Sequence, residues 1–284
     1  MSGATSGMGV DLSACLEMAG RCDTGVRRDH NEDAMRLEPA HGLAILADGM
    51  GGHNAGEVAS GMAVDSMFEA ICNDLGNIAD ATDHDPEGLY SQETVLLRRA
   101  IEQSNRIITQ AARSQQKYDG MGTTIVAALF HDDAVSIGSV GDSRLYRLRR
   151  GALDQMTRDH TLLQELVDRG FYTREEARAS LNRNIVTRAL GAEDDVEVDL
   201  VEDIVLVGDR YLLCSDGLND MLDDEEIREL LAQETHDLDT IPASLIERAN
   251  NQGGEDNVTA VVIEVRKPFP SRKSWFRRVV DWFQ

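Results

Sequence analysis

Apolar residues recur along this chain with two periods. Residues 43–47 are an unbroken apolar run, 122–130 is apolar and rich in β-branched residues, and 258–265 is a strongly apolar stretch. Runs of that length read as buried strands. Alternation over 134–140 predicts a half-buried strand, and 145–148 with 153–156 around Arg150-Gly151 predicts a hairpin. Strands are also expected at 15–22, 196–200 and 211–214. Helical spacing puts Val58, Met62, Met67, Phe68 and Ile71 on one face over 57–75, and Val95, Leu96, Ile101, Ile107 and Ile108 on one face over 92–115. Shorter amphipathic helices are expected at 223–234 and 238–251. Between 159 and 191 the period turns helical among strands, which reads as an inserted helical flap. Residues 1–13 are small and polar, and disorder is expected there. Strands in two blocks, with helix pairs between and after them, predict the α+β class: an antiparallel sandwich and not a doubly wound parallel sheet. A single domain over about 14–266 follows.

Charge adds an exclusion. With 51 acids against 28 bases in 284 residues the formal net charge is −23, which argues against nucleic acid as a bulk partner. Cys15, Cys22, Cys72 and Cys214 show no Cys-x-x-Cys spacing and no zinc-type histidine partners, so they read as reduced thiols. Residues 1–12 lack the basic and apolar regions of a secretory signal, and no apolar run approaches the roughly 18 residues of a spanning helix, so a cytoplasmic protein is expected.

The distinctive feature is an acid repeated at strand ends. Asp48 follows 43–47, Asp142 follows 134–140, Asp216 follows 211–214, and Asp256 precedes 258–265, while Glu32 and Asp33 come after the first strand. Glycines at 49, 51 and 52 let the backbone turn sharply beside Asp48. If the strands align, six carboxylates meet at one edge of the sandwich. That much like charge raises carboxylate pKa values and weakens the fold unless cations neutralise it. All-oxygen ligation suits hard ions such as magnesium or manganese. Two such ions about 3.5–4 Å apart, bridged by an aspartate, suit displacement at phosphorus by water, and an arginine fork matches phosphate oxygens.

The motifs Gly25-x-x-Arg28-x-x-Asn31-Glu32-Asp33, Asp48-Gly49-x-Gly51-Gly52-His53, Gly122-Thr123-Thr124, Gly141-Asp142-Ser143-Arg144, Ser215-Asp216-Gly217 and Gly253-x-x-Asp256-Asn257 occur in that order. Together they resemble the bacterial branch of the PPM family, the protein phosphatase 2C type. The resemblance implies a four-layer α-β-β-α sandwich with two antiparallel sheets, two core Mn2+ or Mg2+ ions, and hydrolysis of phosphoserine and phosphothreonine by direct water attack. It implies that Asp48 bridges both ions with the Gly49 carbonyl on one, that Asp216 and Asp256 hold the first ion, and that Glu32 holds the second with Asp33 ordering water around it. Asp142 with Asp216 would hold a weaker third ion, and Arg28 would clamp the phosphate. His53 resembles the family's proposed general acid; the competing reading is an ordinary surface histidine. Arg144 is expected in a structural ion pair and His160 at a helix start. In the flap, Ser180-Leu181 precede Asn182-Arg183-Asn184 where many bacterial relatives carry His-Pro, a departure that bears on substrate choice.

The expected partners are phosphorylated proteins and a cognate Ser/Thr kinase, with no nucleic acid, acting on a monomeric enzyme. Two rivals stand beside this reading: a catalytically silent phosphoprotein-binding relative, and a metal phosphoesterase for small phosphate esters. Residues 267–284 invert the charge, carrying +4 against −27 for the rest, and contain both tryptophans. On helical spacing Trp275, Phe276, Val279, Val280 and Phe283 share a face. Docking on the enzyme's own body, on an anionic membrane surface or on a partner protein are the three readings of this tail.

Overall fold

The computed structural model describes residues 11–51, 55–76, 78, 88–173 and 185–270. In chain order the elements are β1 (Leu16–Asp23), β2 (Asp33–Glu38), β3 (Leu43–Met50), α1 (Ala55–Leu75), α2 (Gln92–Ser114), β4 (Gly122–Thr123), β5 (Ile125–His131), β6 (Ala134–Val140), β7 (Arg144–Arg149), β8 (Ala152–Gln155), α3 (Leu162–Asp168), β9 (Asp199–Ile204), β10 (Arg210–Cys214), α4 (Asp216–Asn219), α5 (Asp224–Leu231), α6 (Thr240–Asn251) and β11 (Val258–Val265). One sheet runs β1-β11-β10-β7-β8; the other runs β2-β3-β5-β6-β9, with β4 also paired to β3. Every pairing in both sheets is antiparallel.

Three apolar layers explain the unbroken runs. Between the sheets, Leu46, Val126 and Phe130 meet Tyr211, Leu213 and Val261, with the Phe130 ring edge-on to Tyr211 at 5.2 Å. Outside the second sheet, α1 and α2 cover the opposite side chains of β3 and β5, among them Leu43, Ile45, Ile125 and Ala127. Outside the first, α5 and α6 cover Leu212, Cys214, Ala260 and Val262. A central strand covered on both faces has no polar face to alternate with, so the expected four-layer sandwich is present. The helices begin where local chemistry satisfies their first amides. Ser91 caps α2 by accepting from the Thr94 amide, and Asp223 and Glu226 form a reciprocal capping box on α5.

Several expectations need correction. β6 is buried from Val135 onward and not half-buried, because α2 packs on its outer face; a Cβ at Gly138 would stand 2.7 Å from Ile101 Cδ1. β2 was not expected at all. Its residues are all half-buried, so their alternation is faint, and pairing with β3 selects it. The strand expected at 196–200 lies at Asp199–Ile204, since β9 is an edge held by its ladder to β6, while Val196 and Val198 pack on the helical layer. Residues 11–13 belong to the fold: Leu12 is buried between the sheets and its amide donates to Ala40. The domain also runs past 266, because Phe269 is buried against Phe130. Within the flap, α3 is helical, whereas Leu190 returns to exchange backbone hydrogen bonds with Thr123; Ser180 to Asn184 fall outside the described residues. The four cysteines are free thiols, with Cys214 buried as expected. Among the described residues, no helix is long and apolar enough to cross a membrane.

The registers also locate the acids. Asp33 stands opposite Asp48 across β2 and β3. β10 ends at Cys214 beside Arg144 at the start of β7 and Ala260 near the start of β11. The β6–β7 turn crosses from one sheet to the other carrying Asp142. One end of the sandwich therefore receives acids from both sheets.

Candidate metal centre

Each acid is set by backbone pairing before its side chain acts. Asp48 sits two residues before the end of β3, where its amide donates to Thr124 Oγ1 at 3.0 Å and its carbonyl accepts from the Thr124 amide and Thr123 Oγ1, both at 2.8 Å. Thr124 Oγ1 also meets Ser143 Oγ at 2.7 Å, tying Asp48 to the turn that carries Asp142. Asn257 fixes the loop before β2. Its Oδ1 accepts from the Glu32 amide at 2.8 Å, while its Nδ2 donates to the carbonyls of Thr24 and His30. Gly25 in that loop has φ +78°, and a Cβ there would fall 2.1 Å from the Asp256 carbonyl oxygen, so no side chain fits. At Gly49 a Cβ would lie 2.2 Å from the Gly56 carbonyl oxygen. That contact lets α1 start against β3, and the Gly56 amide then donates to the Glu32 carboxylate at the positive end of the helix.

The side chains converge with little cationic compensation. Asp33 Oδ2 accepts from Ser215 Oγ at 2.8 Å and Thr259 Oγ1 at 2.7 Å. Asp256 accepts from the Asn257 amide at 2.8 Å and pairs with the exposed Arg28 at 2.6 Å. Among the described residues, nothing hydrogen-bonds to the buried Oδ1 atoms of Asp33 and Asp216. Burial pushes Asp33 up to about 6, with Asp256 adding to it against the Ser215 and Thr259 bonds. Asp142 is likewise held at about 6 by burial and by Asp159. Asp48 is raised well above the carboxylate range by burial, then by Asp33, Asp216, Asp142 and Asp256. Asp216 is raised by burial and by Asp142, Asp256, Asp220 and Asp33. For Glu32, burial raises the pKa while Arg28 opposes it.

Five of the expected acids, Asp33, Asp48, Asp142, Asp216 and Asp256, thus share one electrostatic cluster, and Glu32 flanks it beside Arg28. Among the described residues no three acid, histidine or cysteine side chains already close on one point; the carboxylates lean instead on Arg28, Ser215, Thr259 and backbone amides. The donor set still fits a divalent ion. It is all oxygen, it is negative in excess of its counter-charges, and it leaves buried oxygens of Asp33 and Asp216 without a proton donor. His53 falls outside the described residues.

Two other expectations resolve differently. Arg144 makes the structural ion pair, donating to Asp159 at 2.6–3.1 Å and to Tyr146 Oη at 2.8 Å. His160 does not start a helix; Thr161 caps α3. His160 is buried, its Nδ1 accepts from the Gly141 amide at 3.0 Å and its Nε2 lies 3.1 Å from Asp199, which pins the root of the flap to the turn before Asp142. Sequence reasoning assigned no role to Thr124, Ser143, Ser215, Thr259 or Asp220. The first four are neutral hydroxyls with no charge pattern to mark them. Asp220 had a signal: it follows Asp216 by four residues, one turn away on the same side of α4. A cleft of about 830 Å³ opens from Asp142, Asp216 and Asp220 between the β7–β8 hairpin, α3 and the start of α5.

Known proteins resemble this chain in sequence and fold. The family described as protein phosphatase 2C matches residues 26–247. The serine/threonine phosphatase stp of Listeria monocytogenes serovar 1/2a is 39% identical over 249 residues, covering 86% of this chain and 94% of that protein. The crystal structure of the serine/threonine phosphatase Stp1 from Staphylococcus aureus superposes with TM-score 0.79 at 33% identity, over 94% of this chain and 100% of that one. The catalytic domain of serine/threonine protein phosphatase PstP, solved in complex with two manganese ions, gives TM-score 0.75 at 38% identity, over 89% and 99%. With its motifs in order, its two-sheet sandwich and these relatives, the chain belongs to the protein phosphatase 2C family.

Proposed function

We propose that this protein is a phosphatase that hydrolyses phosphoserine and phosphothreonine in proteins with two resident Mn2+ or Mg2+ ions. The observation that carries the reading is the convergence of five carboxylates from both sheets with Arg28 at their rim. Asp48 and the Gly49 carbonyl would both help to hold the ions. Asp216 and Asp256 would hold the first ion, Glu32 the second with Asp33 ordering its water, and Asp142 with Asp216 a weaker third. Bound there, such ions polarise phosphoryl oxygens and supply a water nucleophile at neutral pH.

The chain's own residues do the positioning. Ser215 and Thr259 fix one oxygen of Asp33 and leave the other aimed at the cluster. Thr123, Thr124 and the β2 register hold the Asp48 backbone in place at the cluster. Arg28 is half-exposed and already placed at an acid of the cluster, so a phosphate dianion can take over its guanidinium at the rim. The cleft beside Asp142 and Asp220 gives the peptide on one side of the phosphoresidue a place to lie. The phosphoproteins it consumes are the products of a Ser/Thr kinase.

The testing experiment is hydrolysis of a phosphothreonine peptide with manganese and with EDTA, beside a phosphotyrosine peptide of the same sequence. Manganese-dependent turnover of the phosphothreonine peptide alone is expected; equal turnover of both, or turnover in EDTA, contradicts the reading. Arg28→Ala should raise KM for the phosphopeptide by about tenfold or more, the scale of a charge-assisted hydrogen bond, with a smaller loss in kcat. A fall in kcat at constant KM would place Arg28 in the transition state instead.

A further inference from the structure

At the end of the sandwich opposite the acids, the turn between β9 and β10 presents apolar side chains to solvent. Ile204 is 66% exposed, Val207 55% and Leu206 39%. They are not the tip of a slack loop. The Leu206 amide donates to Asp209 at 2.8 Å and the Gly208 amide to the Val265 carbonyl at 2.9 Å. Asp209, almost fully buried, is gripped in turn by Arg149 through Nε at 2.9 Å and an outer nitrogen at 2.7 Å. A built turn therefore holds these side chains outward, beside a groove of about 300 Å³ lined by Asp133, Ile204, Leu206, Val207, Val265 and Phe269.

The chain itself supplies an occupant. Phe269 is buried in the wall of this groove, and Pro268 lines it, so the segment that follows Pro270 starts at the groove's rim. That segment, 271–284, holds Trp275, Phe276, Val279, Val280, Trp282 and Phe283, and carries a formal +3 against −26 for the remainder. Asp133 and Lys267 both stand in the groove wall, so apolar contact carries the fit locally and the acidic body favours the basic segment only at longer range. If helical, 274–284 spans about 16 Å, enough to cross a site of this size from where it begins. We propose that 271–284 folds back and covers the Ile204, Leu206, Val207 face as an intramolecular clasp. The acids lie past the far ends of β10 and β11, so the clasp braces the sandwich without closing the catalytic cleft.

Both tryptophans of the chain lie in this segment, which makes it its own reporter. In the full chain the tryptophan emission should be blue-shifted and shielded from acrylamide relative to the urea-unfolded chain, independent of protein concentration. Leu206→Asp with Val207→Asp should move the emission to the red and raise quenching, with far-UV circular dichroism and phosphothreonine peptide turnover unchanged. Ile204→Lys, at the most exposed position, serves as an independent variant should the double one misfold. Ending the chain at Pro270 should lower Tm while leaving turnover intact. Emission already solvent-like in the full chain overturns the proposal. So does a blue shift indifferent to both variants, one that grows with protein concentration and so reports a second copy, or one that appears only with phosphatidylserine vesicles. Because the emission, quenching and melting readouts that decide the proposal do not depend on turnover, they stand or fall separately from the phosphatase assignment.

Discussion

Asp48→Asn should lose at least about a thousandfold in phosphopeptide turnover, the scale on which one preorganised electrostatic group acts in a transition state, while melting in EDTA at or above the temperature of the parent. The two halves of that expectation come from one fact. Asp48 is raised by burial and by Asp33, Asp216, Asp142 and Asp256, and among the described residues it makes no ion pair. An amide at 48 is neutral without the cost of holding either a charge or a proton among four acids in the metal-free protein, and it can donate toward Asp33 Oδ1, which makes no hydrogen bond among the described residues. Its backbone bonds to Thr123 and Thr124 do not depend on the side chain, so the β3 register survives. The measurement pairs steady-state kinetics in manganese with thermal melts in EDTA. A variant that melts well below the parent would show that Asp48 is held by a compensating donor, and retained turnover would remove it from the metal set.

Manganese itself should raise the melting temperature of the parent protein, and EDTA should reverse the gain. A ligand that binds only the folded state at a hundred times its Kd stabilises by about 2.7 kcal/mol, which for a domain of this size is a shift of several degrees. Here the binding also neutralises a cluster whose members raise one another's pKa values. Asp48→Asn should forfeit most of that shift. Sodium chloride at equal ionic strength separates specific ligation from screening, because screening acts on exposed charge and only weakly on buried groups. An unchanged melting temperature across a manganese titration would argue against a metal centre at these acids.

How far the sequence foretold this molecule depended on what each signal measured. Apolar runs report burial, so β3, β10 and β11, covered on both faces, stood out, and the two sheets with their helix pairs were expected as they occur. β9 is specified by its ladder to the distant β6 and β2 by its ladder to β3 just after it, and the half-exposed residues of both carry little pattern. The acids were legible because a carboxylate at the end of an apolar strand is costly to bury without a purpose. What holds the acids in place was not. Thr124, Ser143, Ser215 and Thr259 are small hydroxyl residues of ordinary composition, and their roles emerge only when four separate stretches of chain are brought within hydrogen-bond distance. His160 shows the same limit, since its partners at Gly141 and Asp199 lie on either side of it in the chain.

The pairing of the first strand with the last has a consequence for biosynthesis. β1 joins the sheet only by zipping onto β11, residue 16 against residue 265, and Asp256 stands just ahead of that final strand. Ribosomal synthesis delivers the chain from its N-terminus at about 5–20 residues per second. Glu32, Asp33 and Asp48 therefore wait for more than two hundred residues before the last acid of the cluster, Asp256, emerges. Contacts so distant in sequence form late and slowly. A nascent chain that stops short of β11 lacks Asp256's seat and the strand onto which β1 zips, so phosphatase chemistry is expected only once translation has passed β11.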